Sequence, residues 1–186
     1  PILEESYQRH KVRFGDDHRA TVMSVNALAG TQQSLGHHEQ AIQLWEETQQ
    51  HRKTALGENN HLTLWVSSHL TRSLLAVERF ADAETLMRDC LPRWERVQPD
   101  SWKHFYARSQ LGSALLGQGK YDEAEPLLLS GYQGMKERSQ TIRVIHNQRP
   151  LEALESLLKL YAATNQPDRA SQTQRELTRQ LEALNE

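Results

Sequence analysis

Four alanines, Ala41, Ala83, Ala124 and Ala170, recur along the chain at intervals of 42, 41 and 46 residues. Self-similarity at such a period is the mark of stacked repeats. Each unit then buries its apolar face against its neighbours rather than inside one closed core. A chain of this kind is expected to work through an extended surface, binding other chains and doing no chemistry.

Each unit reads as two helices. Val22, Val25, Leu28, Ala29 and Leu35 fall at helical spacing, and Gly36 ends that stretch as a left-handed cap. The next stripe is Ala41, Leu44, Trp45, Thr48 and His51 or Arg52, closed by Gly57. The second unit repeats the plan with Leu64, Leu70 and Leu74, then Phe80, Ala83, Met87, Cys90 and Trp94. The third uses Phe105, Leu111 and Leu115, then Tyr121, Ala124 and Leu128. The fourth uses Leu151, Leu154, Leu157 and Tyr161, then Pro167, Ala170 and Leu177. Pro99 and Asp100 open the third unit on this reading, and Pro150 and Pro167 suit first helical turns, where a missing N–H costs nothing. Small residues at Ala29, Ala41, Ala83, Gly112 and Ala124 mark close helix approach.

The fold expected is all-α: an α-solenoid of antiparallel helix pairs with about nine helices. Its parts are a half repeat over residues 1–14 and repeats over 15–57, 58–98 and 99–138. A longer link, a fourth repeat and a polar terminal cap follow over 139–186. Glu78 and Asn165 stand where the turn glycine belongs. The longer link between Lys136 and Pro150 is read as extra helical turns or a loop.

Charge and composition remove several classes of function. Net charge is −2, so no basic footprint points to nucleic acid. No run of eighteen apolar residues is present, so no membrane span is expected. Cys90 is the only cysteine, which forbids an internal disulfide and fits a reducing, cytoplasmic setting. The opening Pro1-Ile2-Leu3-Glu4-Glu5 reads as the middle of a longer protein.

These residues carry a family resemblance. The pattern resembles the tetratricopeptide repeat, in the longer version of kinesin light chains, whose units are linked by a segment similar to Leu-Gly-x-Asp-His-Pro-x-Thr. Phe14-Gly15-Asp16-Asp17-His18-Arg19-Ala20-Thr21 matches that link well, and Leu56-Gly57-Glu58-Asn59-Asn60-His61-Leu62-Thr63 more loosely. Gln118-Gly119-Lys120-Tyr121-Asp122-Glu123-Ala124-Glu125-Pro126-Leu127 resembles the family turn almost throughout. From Pro99 to Leu181 the chain also resembles arrays that end large bacterial signalling proteins, following a Ser/Thr protein kinase domain.

Signals of chemistry are weak. Gly112 and Gly117, followed by Gly119-Lys120, miss the phosphate-loop spacing, because Gln118 stands where Lys is required. His38-Glu39 starts a zinc-protease pattern that Ile42 breaks. His37, His38, His61 and His69 could cluster, but turn histidines are ordinarily solvated. Cys90 falls on a packed face. No kinase machinery is present. The expectation is a protein that is not an enzyme, with no cofactor and no metal.

The resemblance implies that the array winds as a right-handed superhelix and that the first helix of each unit lines a concave face on which a partner peptide or helix lies. Counted in that register, the contact residues are Asn26, Gln33, Trp65, His69, Arg72, Tyr106 and Gln110. Trp65 and Tyr106 are the best anchors, since aromatic side chains give large contact area at low entropy cost, and packing of both against a neighbouring repeat is the equal alternative. The partner would be a protein or peptide, with self-association as the alternative.

Overall fold

The computed structural model describes residues 2–16, 18–143 and 146–185. Asp17, in the first link, lies outside them. Among the described residues the chain forms nine α-helices and no strand: α1 Ile2–Phe14, α2 Arg19–Ser34, α3 His38–Leu56, α4 His61–Ala76, α5 Phe80–Val97, α6 Trp102–Gly117, α7 Tyr121–Glu137, α8 Arg149–Ala163 and α9 Pro167–Asn185. None of these helices is long and apolar enough to cross a membrane. The helices group into two compact units, Pro1–Arg79 and Phe80–Glu186.

Local chemistry repeats with the alanine period. His18, Asn60 and Ser101 each stand 23 residues before a repeat alanine, and each caps the helix that follows. The Asn60 side chain accepts from Leu62 N at 2.9 Å, and Ser101 from Lys103 N at 3.3 Å. Such caps satisfy a backbone donor that the first helical turn leaves orphaned. In the third unit the cap is thus Ser101, just after Pro99-Asp100.

The turn five residues before each repeat alanine keeps one backbone conformation. Gly36 and Gly119 have φ of 81° and 73°, and Glu78 and Asn165 adopt 60° and 53°. All four turns also make the same pair of hydrogen bonds. His37 N donates to Gln32 O, Arg79 N to Leu74 O, Lys120 N to Leu115 O and Gln166 N to Tyr161 O, each at 2.8 to 3.0 Å. That six-to-one bond, with the five-to-two bond inside it, closes the preceding helix. The missing glycines at 78 and 165 leave the turn intact, so the glycine expectation was stricter than the geometry.

In the first unit α1 packs on α2, α2 on α3 and α3 on α4. Tyr7, Val25 and Leu28 form one core cluster with Leu3 and Leu44 around it. In the second unit α6 and α7 pack most closely. A Cβ on Gly131 would stand 2.8 Å from both Phe105 O and Ser109 N. Ala29, Ala41, Ala83 and Ala124 are all completely buried. The stretched link after α7 contains a 3-10 turn at Ser139–Thr141, and α8 starts at Arg149. Val144 and Ile145 of that link lie outside the described residues.

Candidate partner-binding face

Helix α4 is buried almost all round. Thr63, Leu64, Val66, Ser67, Ser68, Leu70, Thr71, Ser73 and Leu74 are buried, and between Thr63 and Leu74 only Trp65, His69 and Arg72 reach solvent. Their spacing of four and three residues puts them in one stripe. Such a helix needs many small side chains, and its hydroxyls are satisfied internally. Ser67 donates to Thr63 O at 3.2 Å and Thr71 to Ser67 O at 2.8 Å. Back-bonding of this kind makes Ser and Thr tolerable inside a packed helix.

The stripe is braced from both sides. Gln33 of α2 donates through Nε2 to the His69 carbonyl at 3.2 Å and to Ser73 Oγ at 2.7 Å. Its Oε1 accepts a short hydrogen bond from the Arg72 guanidinium. The His69 ring stacks on buried Trp45 at 4.7 Å and meets the Trp65 ring edge-on at 4.8 Å. Trp45, His69 and Trp65 thus form a continuous aromatic run from the core of the unit to its surface.

The second unit uses its corresponding residues differently. Tyr106 is 2% exposed and donates its hydroxyl to Glu152 at 2.9 Å, while the Arg149 guanidinium lies 5.3 Å from its ring. Gln110 is 3% exposed, and Ser113 and Ser156 share a 2.9 Å hydrogen bond between α6 and α8. Gln33, at 6% exposure, is likewise inside. The expectation that Gln33, Tyr106 and Gln110 face solvent does not hold: all three are buried, and the neighbouring first helix takes up the polar groups of Gln33 and Tyr106. Asn26, Trp65, His69 and Arg72 remain partly exposed.

A second arrangement was missed in the sequence. Tyr7 and Lys11 of α1 both bond Glu47 of α3, and Tyr132 and Lys136 of α7 both bond Glu176 of α9. Glu47 and Glu176 each stand six residues after a repeat alanine, and Tyr132 and Lys136 stand eight and twelve after theirs. Once the register is fixed, that spacing is the signal. Burial pushes the Tyr7 and Tyr132 hydroxyls up, and their carboxylate partners add to it. Burial also opposes ionisation of Glu176, but hydrogen bonds from Tyr132, Lys136, Arg179 and Gln180 outweigh it and hold the carboxyl at about 2.

Asp16, Glu47 and His51 bring three ligand-type atoms within 4.8 Å of one another. The Lys11 ammonium stands 3.2 Å from Asp16 and hydrogen-bonds Glu47. A protein cation thus already balances these carboxylates. His37, His38, His61 and His69 take no part in that group.

Among the described residues, nine helices joined by recurrent turns, with small residues at fixed register, define a helix-pair repeat protein. The tetratricopeptide repeat family matches residues 23–96 and again residues 106–133. The chain carries tetratricopeptide repeats.

Solved structures share this fold. A Podosopora anserina protein assigned as a kinesin light chain with nearly identical TPR-like repeats, in a form carrying one substitution, superposes with a TM-score of 0.71 at 18% identity, covering 96% of this chain and 83% of that one. The form without that substitution gives a TM-score of 0.67 at 21% identity, covering 99% and 84%. BtubC (BKLC) from P. vanneervenii gives 0.72 at 15% identity, covering 99% and 72%. No curated protein matches the sequence significantly.

Proposed function

We propose that the chain is a non-catalytic scaffold whose α4 stripe, Trp65, His69 and Arg72, binds an extended or helical segment of a partner protein, with Asn26 on α2 extending the contact. A tetratricopeptide fold suggests a protein-interaction role, and the observation that carries the site is the stripe itself. A helix committed to packing on every other side presents one aromatic, one imidazole and one guanidinium group in line, each held from behind. Pre-positioned aromatic and Arg side chains are what interface anchors require, because little rotamer entropy is lost on binding. Gln33 serves as the positioning residue for Arg72.

The repeat boundaries at residues 15, 58, 99 and 139 belong to this reading. So does placement of the array in the cytoplasm, at the end of a larger bacterial signalling protein with a Ser/Thr kinase domain. The sequence texture from Pro99 to Leu181 supports that context.

The test is selection of peptides on the intact chain from a random library, followed by binding to Trp65→Ala and Arg72→Ala singly and together. The double variant is expected to lose at least about 100-fold in affinity for the selected peptides. Unchanged affinity in a variant with an unaltered circular dichroism spectrum would sink the proposal.

A second reading, self-association, is favoured by α1, where Ile2 and Val12 are 81% and 88% exposed. Sedimentation velocity over a hundredfold concentration range separates the two, since only self-association predicts a rising sedimentation coefficient.

A further inference from the structure

A cavity of about 230 Å³ lies in the first unit, lined by residues of α1, α2, α3 and the start of α4. Val22, Val25, Ala55, Leu56 and Leu62 supply an apolar wall. Thr21 and Arg52, also in that lining, carry the polar atoms that stand out: Thr21 Oγ1 and Arg52 Nε are buried and have no hydrogen-bond partner.

Both groups depart from the pattern of the array. Thr63, 42 residues after Thr21, uses its hydroxyl on Gly57 O at 3.0 Å and Arg52 O at 3.3 Å. Thr21 is 1% exposed and uses its hydroxyl on nothing. Arg52 stands eleven residues after Ala41. Trp94 and Met135 hold the same place after Ala83 and Ala124, and both are fully buried core side chains. A guanidinium therefore occupies a core position of the repeat, and burial alone lowers its pKa, with no carboxylate of the described residues acting on it. Arg52 is half-buried, with its Nε fully enclosed, and a cation drawn this far out of water without a protein partner is unfavourable.

Among the described residues, the other charged groups around the cavity do not supply that partner. Asp16 and Glu47 are both engaged by Lys11. His51 Nε2 stands 3.7 Å from Asp16, and Arg19 is exposed at the edge. The unused donors are one guanidinium and one hydroxyl, set in an apolar wall.

We propose that this cavity binds a small carboxylic acid with an apolar body, its carboxylate held by Arg52 with Thr21 as second donor and its body packed on Val22, Val25 and Leu56. A planar guanidinium matches a carboxylate in a two-bond fork. The volume falls below the roughly 300–1,000 Å³ of sites for drug-sized ligands, so the acid is a short branched-chain or single-ring one. A phosphate dianion would need more donors than this wall offers.

The test is calorimetric titration of the whole chain with 4-methylpentanoate and with benzoate, each beside its primary amide. A short peptide ending in a free leucine carboxylate forms a further arm. The expected result is saturable binding of at least one acid, about tenfold or more tighter than its amide, and weakened about tenfold or more by Arg52→Met. Methionine already occupies this place at Met135, so the variant is expected to keep its melting temperature. Should it unfold, Arg52→Lys keeps the charge and loses the fork, with a similar loss of affinity expected. Absence of binding by both acids up to about 10 mM overturns the proposal. Equal binding of the amides, unchanged affinity in the Arg52 variants, or binding of the peptide alone does so too.

Discussion

Tyr7 donates its hydroxyl to Glu47 over 3.0 Å, joining two helices separated by 40 residues of chain. Tyr132 does the same to Glu176 in the other unit, and in both cases a lysine one turn after the tyrosine shares the carboxylate. The lysines also lie over the tyrosine rings, at 5.5 and 5.7 Å. Each bridge ties two second helices together across the first helix between them.

Glu176 makes stability depend on acid. Its carboxyl is held at about 2 in the folded chain, below its ordinary 4.5. Glu84 is also held at about 2, by hydrogen bonds from Lys120, Arg88 and Gln118. A depressed folded pKa contributes stability that is complete above the unfolded value and disappears as pH falls through the folded one. Melting temperature is therefore expected to fall between about pH 4.5 and pH 2. Glu84→Gln combined with Glu176→Gln is expected to flatten that fall while lowering the plateau near neutral pH. An equally steep acid limb in the double variant would show that other carboxylates carry it.

The turns offer a stabilising change. Glu78 holds φ at 60°, a conformation that costs an L residue roughly 1–2 kcal/mol and glycine nothing. Glycine gives part of this back through its freer unfolded chain. Glu78→Gly is expected to raise stability by about 0.5–1 kcal/mol in urea unfolding. Asn165→Gly should gain less, because asparagine tolerates this region better.

Gly131 tests a close approach of α7 to the backbone of α6. Alanine there would meet backbone atoms of α6 at 2.8 Å, which cannot rotate aside. Gly131→Ala is expected to cost about 1–3 kcal/mol by urea unfolding. Gly30→Ala, where an added methyl meets nothing within 4 Å, should stabilise or leave stability unchanged.

Thr63 and Thr21 occupy one repeat position with different bonding. Thr63→Val removes a hydroxyl that serves two carbonyls, and is expected to cost about 1 kcal/mol. Thr21→Val removes a buried hydroxyl with no partner and should be neutral or stabilising. Equal losses in the two variants would contradict this assignment of bonds.

The helices and their order were legible because alanine spacing, glycine stops and apolar stripes all obey one period. Burial on the first helices was less so. Ser68 and Ser109 are polar, yet both are buried, with hydroxyls turned back on carbonyls of their own helix. Tyr106 reads equally well as an anchor or as a core residue. Glu152 and Arg149 of α8, beyond the irregular link, decide for the core. Trp65, His69 and Arg72 were legible because their spacing matches one face. Gln33 was placed on the correct helix but assigned to solvent, since nothing local announces the Arg72, Ser73 and His69 groups that occupy it.

The near-complete enclosure of α4 bears on how this chain can vary. Substitution at nine of the twelve positions from Thr63 to Leu74 perturbs packing or an internal hydroxyl bond. Drift without loss of the fold is thereby confined to three. A lineage that changed its partner through this helix would have to do so almost entirely at Trp65, His69 and Arg72, so those positions should diverge fastest among descendants with different partners and slowest among those that share one.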